Sequence, residues 1–137
     1  MKLEISRKTE LALAAIRELR RHELPLKGAD LAEALDTTAT YLPHILRPLV
    51  RQAWVESDRG PTGGYRLSAD PASISLFEFI EVVDGPLDEG RCVLRGKPCP
   101  SLDLCVLHEP WQRARDALFS ELRKTTLADV PLDEEAA

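Results

Sequence analysis

What this chain lacks narrows the field before any motif is read. The longest stretch free of Asp, Glu, Lys and Arg covers only residues 37–46, well short of the roughly 18 apolar residues that a membrane-crossing helix needs. The opening Met1-Lys2-Leu3-Glu4 leads into charge rather than into the apolar centre of an export signal, so no membrane partner is expected and the expected location is the cytoplasm. Cysteine is scarce and odd in number, three residues in all. In a reducing compartment that count argues against a disulfide scaffold and leaves the thiols free to bind metal. A nucleophile elbow, a phosphate-cradling loop and a paired acid–base set are all missing, and the glycines at 60, 63 and 64 do not follow the dinucleotide fingerprint. An enzyme is therefore not expected.

What is present suits one globular domain with a modest core and an appended helix, at 137 residues of which 44% are hydrophobic. The net charge of −5 hides a split. Residues 1–66 carry eleven Lys/Arg against nine Asp/Glu, whereas residues 67–137 carry seven against fourteen. The first half can approach phosphates and the second is repelled by them, with the acidic tail Asp133-Glu134-Glu135 doubling as an ordinary solvated end.

Periodicity predicts a mainly α fold with a small β wing. Leu11, Ala12, Ala15, Ile16 and Leu19 recur at helical spacing, with Arg17, Glu18, Arg20 and Arg21 opposite, which predicts a first helix over residues 6–22. A second helix follows over 28–35, then the polar turn Asp36-Thr37-Thr38. The third helix takes Thr40 as its N-cap, so that Pro43 falls in the first turn, where its missing donor costs least; Pro48 lies inside this helix. A strand at 54–57, a turn at 59–64 and a returning strand at 65–67 make a wing. Ser75-Leu76-Phe77-Glu78 is a capping-box sequence for a fourth helix that Asp84-Gly85-Pro86 stops. A last helix starts at Pro110, with Trp111, Ala114, Leu118 and Leu122 as its stripe. That stripe has too little core of its own to cover it and is expected to pack across a two-fold axis. The expected organisation is a winged helix-turn-helix unit at 1–84, a cysteine-rich loop at 85–108, and a long C-terminal dimerisation helix with acidic tail at 109–137.

In a helix-turn-helix pair the second helix enters the DNA major groove. Here that helix presents Thr40, Tyr41, His44, Arg47 and Arg51, with Leu42, Ile45, Leu46, Leu49 and Val50 facing the core. Arg47 and Arg51 suit either a guanine edge or a phosphate, and the bland alternative for the whole set is a solvated surface helix. The wing favours DNA, because Arg59 on a glycine-rich tip fits a narrow minor groove. The thiols follow at Cys92-x6-Cys99-x5-Cys105, and His108 comes two residues after the last. Three soft ligands plus an imidazole or carboxylate suit an iron–sulfur cluster or zinc; the spacing is wider than the paired C-x2–4-C of structural zinc, which favours the cluster.

Glu10-Leu11-Ala12-Leu13, Tyr41-Leu42 and the wing Arg59-Gly60-Pro61-Thr62-Gly63-Gly64-Tyr65-Arg66-Leu67, read with the downstream three-cysteine loop, resemble the Rrf family of bacterial winged-helix transcriptional regulators, whose members include IscR-, NsrR- and RirA-like iron–sulfur sensors. The likeness runs over residues 1–129. It implies a repressor-type homodimer with crossing C-terminal helices, bound to a pseudo-palindromic double-stranded DNA operator and carrying a [2Fe-2S] or [4Fe-4S] cluster. In IscR-like members the wing-tip arginine and glycine enter the minor groove, which maps onto Arg59 and Gly60. His108 matches the IscR-like Cys-x2-His pattern, whereas Glu10 matches the acidic position of helix 1 that reaches the cluster from the partner subunit in NsrR-like members. Each also has a bland role, His108 as a helix cap and Glu10 as a solvated carboxylate. The six-residue first gap departs from the five of IscR-like members, so the subgroup stays open. A winged-helix regulator or scaffold with structural zinc and no sensing role is the alternative.

Overall fold

Ser6 starts the first helix, α1 (Arg7–Arg20), by accepting the Thr9 N–H on its hydroxyl at 3.0 Å. Glu10 in the first turn and Arg17 and Arg20 in the last complement the helix dipole. The computed structural model describes residues 2–99 and 104–133; Glu134 and Glu135 of the acidic tail lie outside them. The apolar stripe of α1 is buried at every expected position, and Thr9 is buried with it.

Helix α2 (Gly28–Ala34) and helix α3 (Leu42–Arg51) form the helix-turn-helix. Both end in the same hydrogen-bonded cap. After α2, Asp36 N–H bonds Glu33 O and Thr37 N–H bonds Ala32 O; after α3, Ala53 N–H bonds Val50 O and Trp54 N–H bonds Leu49 O. The residue at the bend is left-handed in each case, Asp36 at φ 51° and Ala53 at φ 57°. Glycine usually fills this position. The start of α3 corrects the expected cap: Tyr41, not Thr40, is the N-cap, and Pro43 is the second helical residue. A turn held by Thr38, whose Oγ1 and carbonyl both accept the Tyr41 N–H, precedes the helix. A ladder running on from Thr38 would require Pro43 to donate to Ala39, which it cannot.

The wing is a two-stranded antiparallel sheet, β1 (Val55–Asp58) and β2 (Gly64–Leu67), with Val55 opposite Leu67 and Asp58 opposite Gly64. Glu56 and Arg66 pair across it. Leu26 adds a short third rung, exchanging both backbone hydrogen bonds with Tyr65 at 2.9 and 2.7 Å. The wing is thereby fastened to the entry of α2.

A 3-10 turn, Pro71–Ser73, leads to α4 (Leu76–Asp84), where Ser75 Oγ accepts the Glu78 N–H. Phe79 of α4 is fully buried and stacks on Trp54, with ring centroids 6.1 Å apart. The last helix, α5 (His108–Lys124), begins two residues before the expected Pro110. Pro110 is still in the first turn, where its missing N–H has no intrahelical partner to lose. The inward contact of α5 is Phe119, edge-on to Phe77 at 5.1 Å under the Arg123 guanidinium, whereas Leu118 is 45% exposed and Ala114 is exposed. Beyond α5 the chain returns to the core: Leu127 is fully buried and its N–H bonds Ile74 O. Arg20, expected on the solvent side of α1, instead donates to the carbonyls of Leu127 and Val130.

Candidate nucleic-acid interface and cysteine loop

Burial of Leu42, Ile45, Leu46 and Leu49 fixes which side of α3 faces out. Thr40, Tyr41, His44, Arg47 and Arg51 are all exposed, and the Tyr41 and His44 rings neighbour each other at 6.1 Å. Val50 is a correction: expected in the core, it is 36% exposed, because the turn at Ala53 carries Trp54 in against Phe79 instead. Arg59 and Gly60 occupy the exposed wing tip, and Gly60 has φ 99°.

Charge pairing is uneven over the surface. Arg7, Arg21, Arg66, Arg91, Arg113 and Arg115 each pair with a carboxylate. Among the described residues Arg47, Arg51 and Arg59 pair with none. A cation without an internal partner keeps its full attraction for an external phosphate. Other cations without a carboxylate partner either contact carbonyls or a ring, as Lys8, Arg20 and Arg123 do, or lie elsewhere, as Lys27 at the start of α2 and Arg95 and Lys97 on the cysteine loop do. Helix α3 and the wing tip thus share, among the described residues, three arginines with no partner of either kind.

The loop opens with a tight turn. Cys92 N–H donates to Lys97 O at 2.7 Å, and Gly96 N–H returns to Cys92 O at 2.9 Å. This folding directs the backbone N–H groups of Arg95 and then Leu94 at the Cys92 sulfur, and together they hold its pKa below the usual thiol range, favouring the thiolate; burial opposes them, and Cys105 and Cys99 reinforce them. Cys105 Sγ stands 4.0 Å from Cys92 Sγ. Cys99 is pushed up, by burial first and then by the charge on Cys92 and Cys105, with the Arg115 guanidinium of α5 working against the rise. Arg115 also holds the loop through Asp88 at 2.7 Å.

The fold therefore brings the three cysteines together across a loop in which residues 100–103 lie outside the described set. Among the described residues no three His, Cys, Asp or Glu side chains are grouped closely enough to hold a metal ion as they stand. The donors that do converge are three soft sulfurs, one of them aimed at by backbone amides, which is the chemistry an iron–sulfur cluster asks of its protein. Two further candidate donors are His108 and Glu10. His108 is half-buried at the first turn of α5, where its N–H bonds Cys105 O at 3.0 Å. Glu10 stands exposed on α1 and pairs with Arg7 at 2.9 Å. Exposed apolar residues, an apolar collar in sequence, flank Cys92 and Cys105: Val93, Leu94, Leu104, Val106 and Leu107. The sequence reading missed this collar, because isolated apolar residues in an irregular loop carry no period.

Comparison with known proteins agrees with this architecture. The profile of the Rrf2 family, described as an iron-dependent transcriptional regulator, matches residues 5–132. The transcriptional regulator IscR of Escherichia coli O1:K1 is 34% identical over 111 residues, spanning 81% of this chain and 68% of that protein. CymR, the global cysteine regulator of B. subtilis, superposes with a TM-score of 0.77 at 31% identity, covering 93% of this chain and 95% of its own. IscR of T. potens superposes with a TM-score of 0.72 at 27% identity, covering 94% of this chain and 86% of its own.

Proposed function

The chain belongs to the Rrf2 family of winged-helix transcriptional regulators, and on that premise we propose that it is a dimeric, cytoplasmic repressor whose cysteine loop holds an iron–sulfur cluster and reports redox, nitric oxide or iron status to DNA. Its relatives are transcription regulators and not enzymes, and no described helix is long and apolar enough to cross a membrane. The fold is shared by a cysteine regulator as well as by IscR, so the sensing role rests on the thiols. The observation that carries it is the convergence of Cys92 and Cys105 at 4.0 Å with Cys99 beside them. Bound there, the cluster supplies a redox- and ligand-sensitive centre whose loss frees the loop. His108 or a partner subunit's Glu10 completes the ligand set.

In this reading residues 1–84 read DNA, 85–108 sense, and 109–137 dimerise. Leu118 and the collar residues Val106 and Leu107, left uncovered in the single chain, become the inter-subunit face. Protein purified without oxygen is expected to be coloured, to contain iron and sulfide, and to sediment as a dimer at micromolar concentration. A colourless protein carrying zinc would replace the sensor by a structural metal site, and a stable monomer would leave the palindromic operator without a matching symmetry.

On DNA, α3 contacts the major groove through Thr40, Tyr41, His44, Arg47 and Arg51, and the wing places Arg59 and Gly60 at the minor groove. Arg59→Ala is expected to weaken operator binding by on the order of 1–3 kcal/mol, most where the minor groove is narrow. Equal affinities of variant and parent in fluorescence-anisotropy titrations, on specific and non-specific duplexes alike, would remove Arg59 from the interface.

A further inference from the structure

Asp84 occupies a position that its own helix disfavours, since a carboxylate at a helix C-terminus faces unpaired carbonyls. It is held there from another element. Ser6 Oγ donates to Asp84 Oδ1 at 2.7 Å, and Thr9 Oγ1 donates to Oδ2, also at 2.7 Å. Lys8 Nζ reaches the neighbouring Val83 carbonyl at 3.3 Å. Capping α1 needs only the Ser6 hydroxyl, which already accepts the Thr9 N–H. A second hydroxyl, on a Thr9 with no exposed surface, aimed at the same carboxylate serves no helix by itself. It serves the junction: the residue after Asp84 is Gly85, where the cysteine loop begins, and the residue after Thr9 is Glu10.

We propose that Asp84 is a positioning residue that fastens the root of the cysteine loop to the first turn of α1 and so couples the state of the loop to operator affinity. The coupling rests on the sensor reading above; the fastening does not. Helix α1 packs on both α4 and the recognition helix α3, so a displacement at the loop root is passed to the reading head through one rigid element. Coupling of this kind is a ratio of affinities, and a contact that merely stabilises the fold leaves that ratio alone.

The full-length protein, its Asp84→Asn variant and its Thr9→Val variant are each titrated, with and without cluster, against a duplex selected from random DNA by the parent. The expected parental ratio of the two affinities is tenfold or more, and both substitutions bring it below threefold while the proteins remain dimeric. A ratio that stays at the parental value in Asp84→Asn, with only a lowered Tm, overturns the coupling. Amide hydrogen exchange on the cluster-free proteins tests the fastening separately. Asp84→Asn is expected to speed exchange at residues 6–10 and 85–92 together, by tenfold or more. Acceleration at one segment alone, or at neither, overturns it. A parent that binds no cluster, or whose affinity ratio is one, sinks the sensor reading instead, and the exchange result then decides the clasp alone.

Discussion

Replacing Cys105 with alanine is expected to bleach the protein and to change its operator affinity at least tenfold. Of the three proposed ligands Cys105 is the closest in sequence to the start of α5: its carbonyl accepts the His108 N–H that begins the helix, and its sulfur lies against Cys92. Loss of this one side chain removes the proposed ligand and its contact with Cys92, while the carbonyl that starts α5 stays, so the effect reports on the thiol itself. The two reading heads of a dimer must stand about one DNA turn apart, roughly 34–36 Å, to engage both half-sites. A change in how α5 meets the winged-helix unit alters that separation. A tenfold effect asks for only about 1.4 kcal/mol of differential binding between the two arrangements. Cys99→Ala should behave alike. His108→Ala and Glu10→Ala, measured separately by cluster spectrum and rate of cluster loss, should identify the fourth ligand as the variant that decays faster. Full visible absorbance in the cysteine variants would disqualify the loop as the ligand set. Bleached protein with parental DNA affinity would make the cluster a passenger rather than a switch.

The second large effect is expected at Gly64. A Cβ built there lies 2.3 Å from the Leu26 carbonyl oxygen and 2.6 Å from its carbon, and the residue has φ 145°. The obstruction is backbone, and the same Leu26 carbonyl accepts the Tyr65 N–H at 2.7 Å, so it cannot yield without losing the rung that ties the wing to α2. Overpacking and backbone strain together place the cost of Gly64→Ala on the order of 2–4 kcal/mol. For a chain of this size that lowers Tm by about 10 °C. Operator affinity should fall as well, because the wing loses its anchor. Gly60→Ala is the control: its Cβ meets nothing within 4 Å, so only the left-handed backbone is penalised, by about 1–2 kcal/mol. Calorimetric scans in which Gly64→Ala melts no lower than Gly60→Ala would show that the Leu26 contact is dispensable.

Several features were legible in the chain because their physics is local. The stripe of α1 and the hairpin with its glycine-rich tip need only neighbours a few residues away to be recognised. The exposed set on α3 followed from its apolar period, with Val50 the exception. Of the three thiols expected at one metal site, Cys92 and Cys105 stand 4.0 Å apart, while among the described residues no three ligating side chains are grouped to hold a metal ion.

Other features were decided only when distant segments packed. Ala53 and Asp36 close their helices in the left-handed region without the glycine that would have announced it. Each tolerates that backbone because the cap bonds, and Trp54 stacked on Phe79, hold it in place. The stripe named on α5 was expected to face a second subunit, and its Leu118 is exposed; which residue of the helix meets its own chain, Phe119, was settled by where Phe77 lies. Leu127 entered the core, and Arg20 turned to cap its carbonyl, across a separation of more than a hundred residues. The clasp of Ser6 and Thr9 on Asp84 is of the same kind. A hydroxyl or a guanidinium in sequence advertises what it can bond to, not what it will; that choice is made by the fold, which sets the group beside one partner and, for the buried Thr9 hydroxyl, also removes the water that would have competed for it.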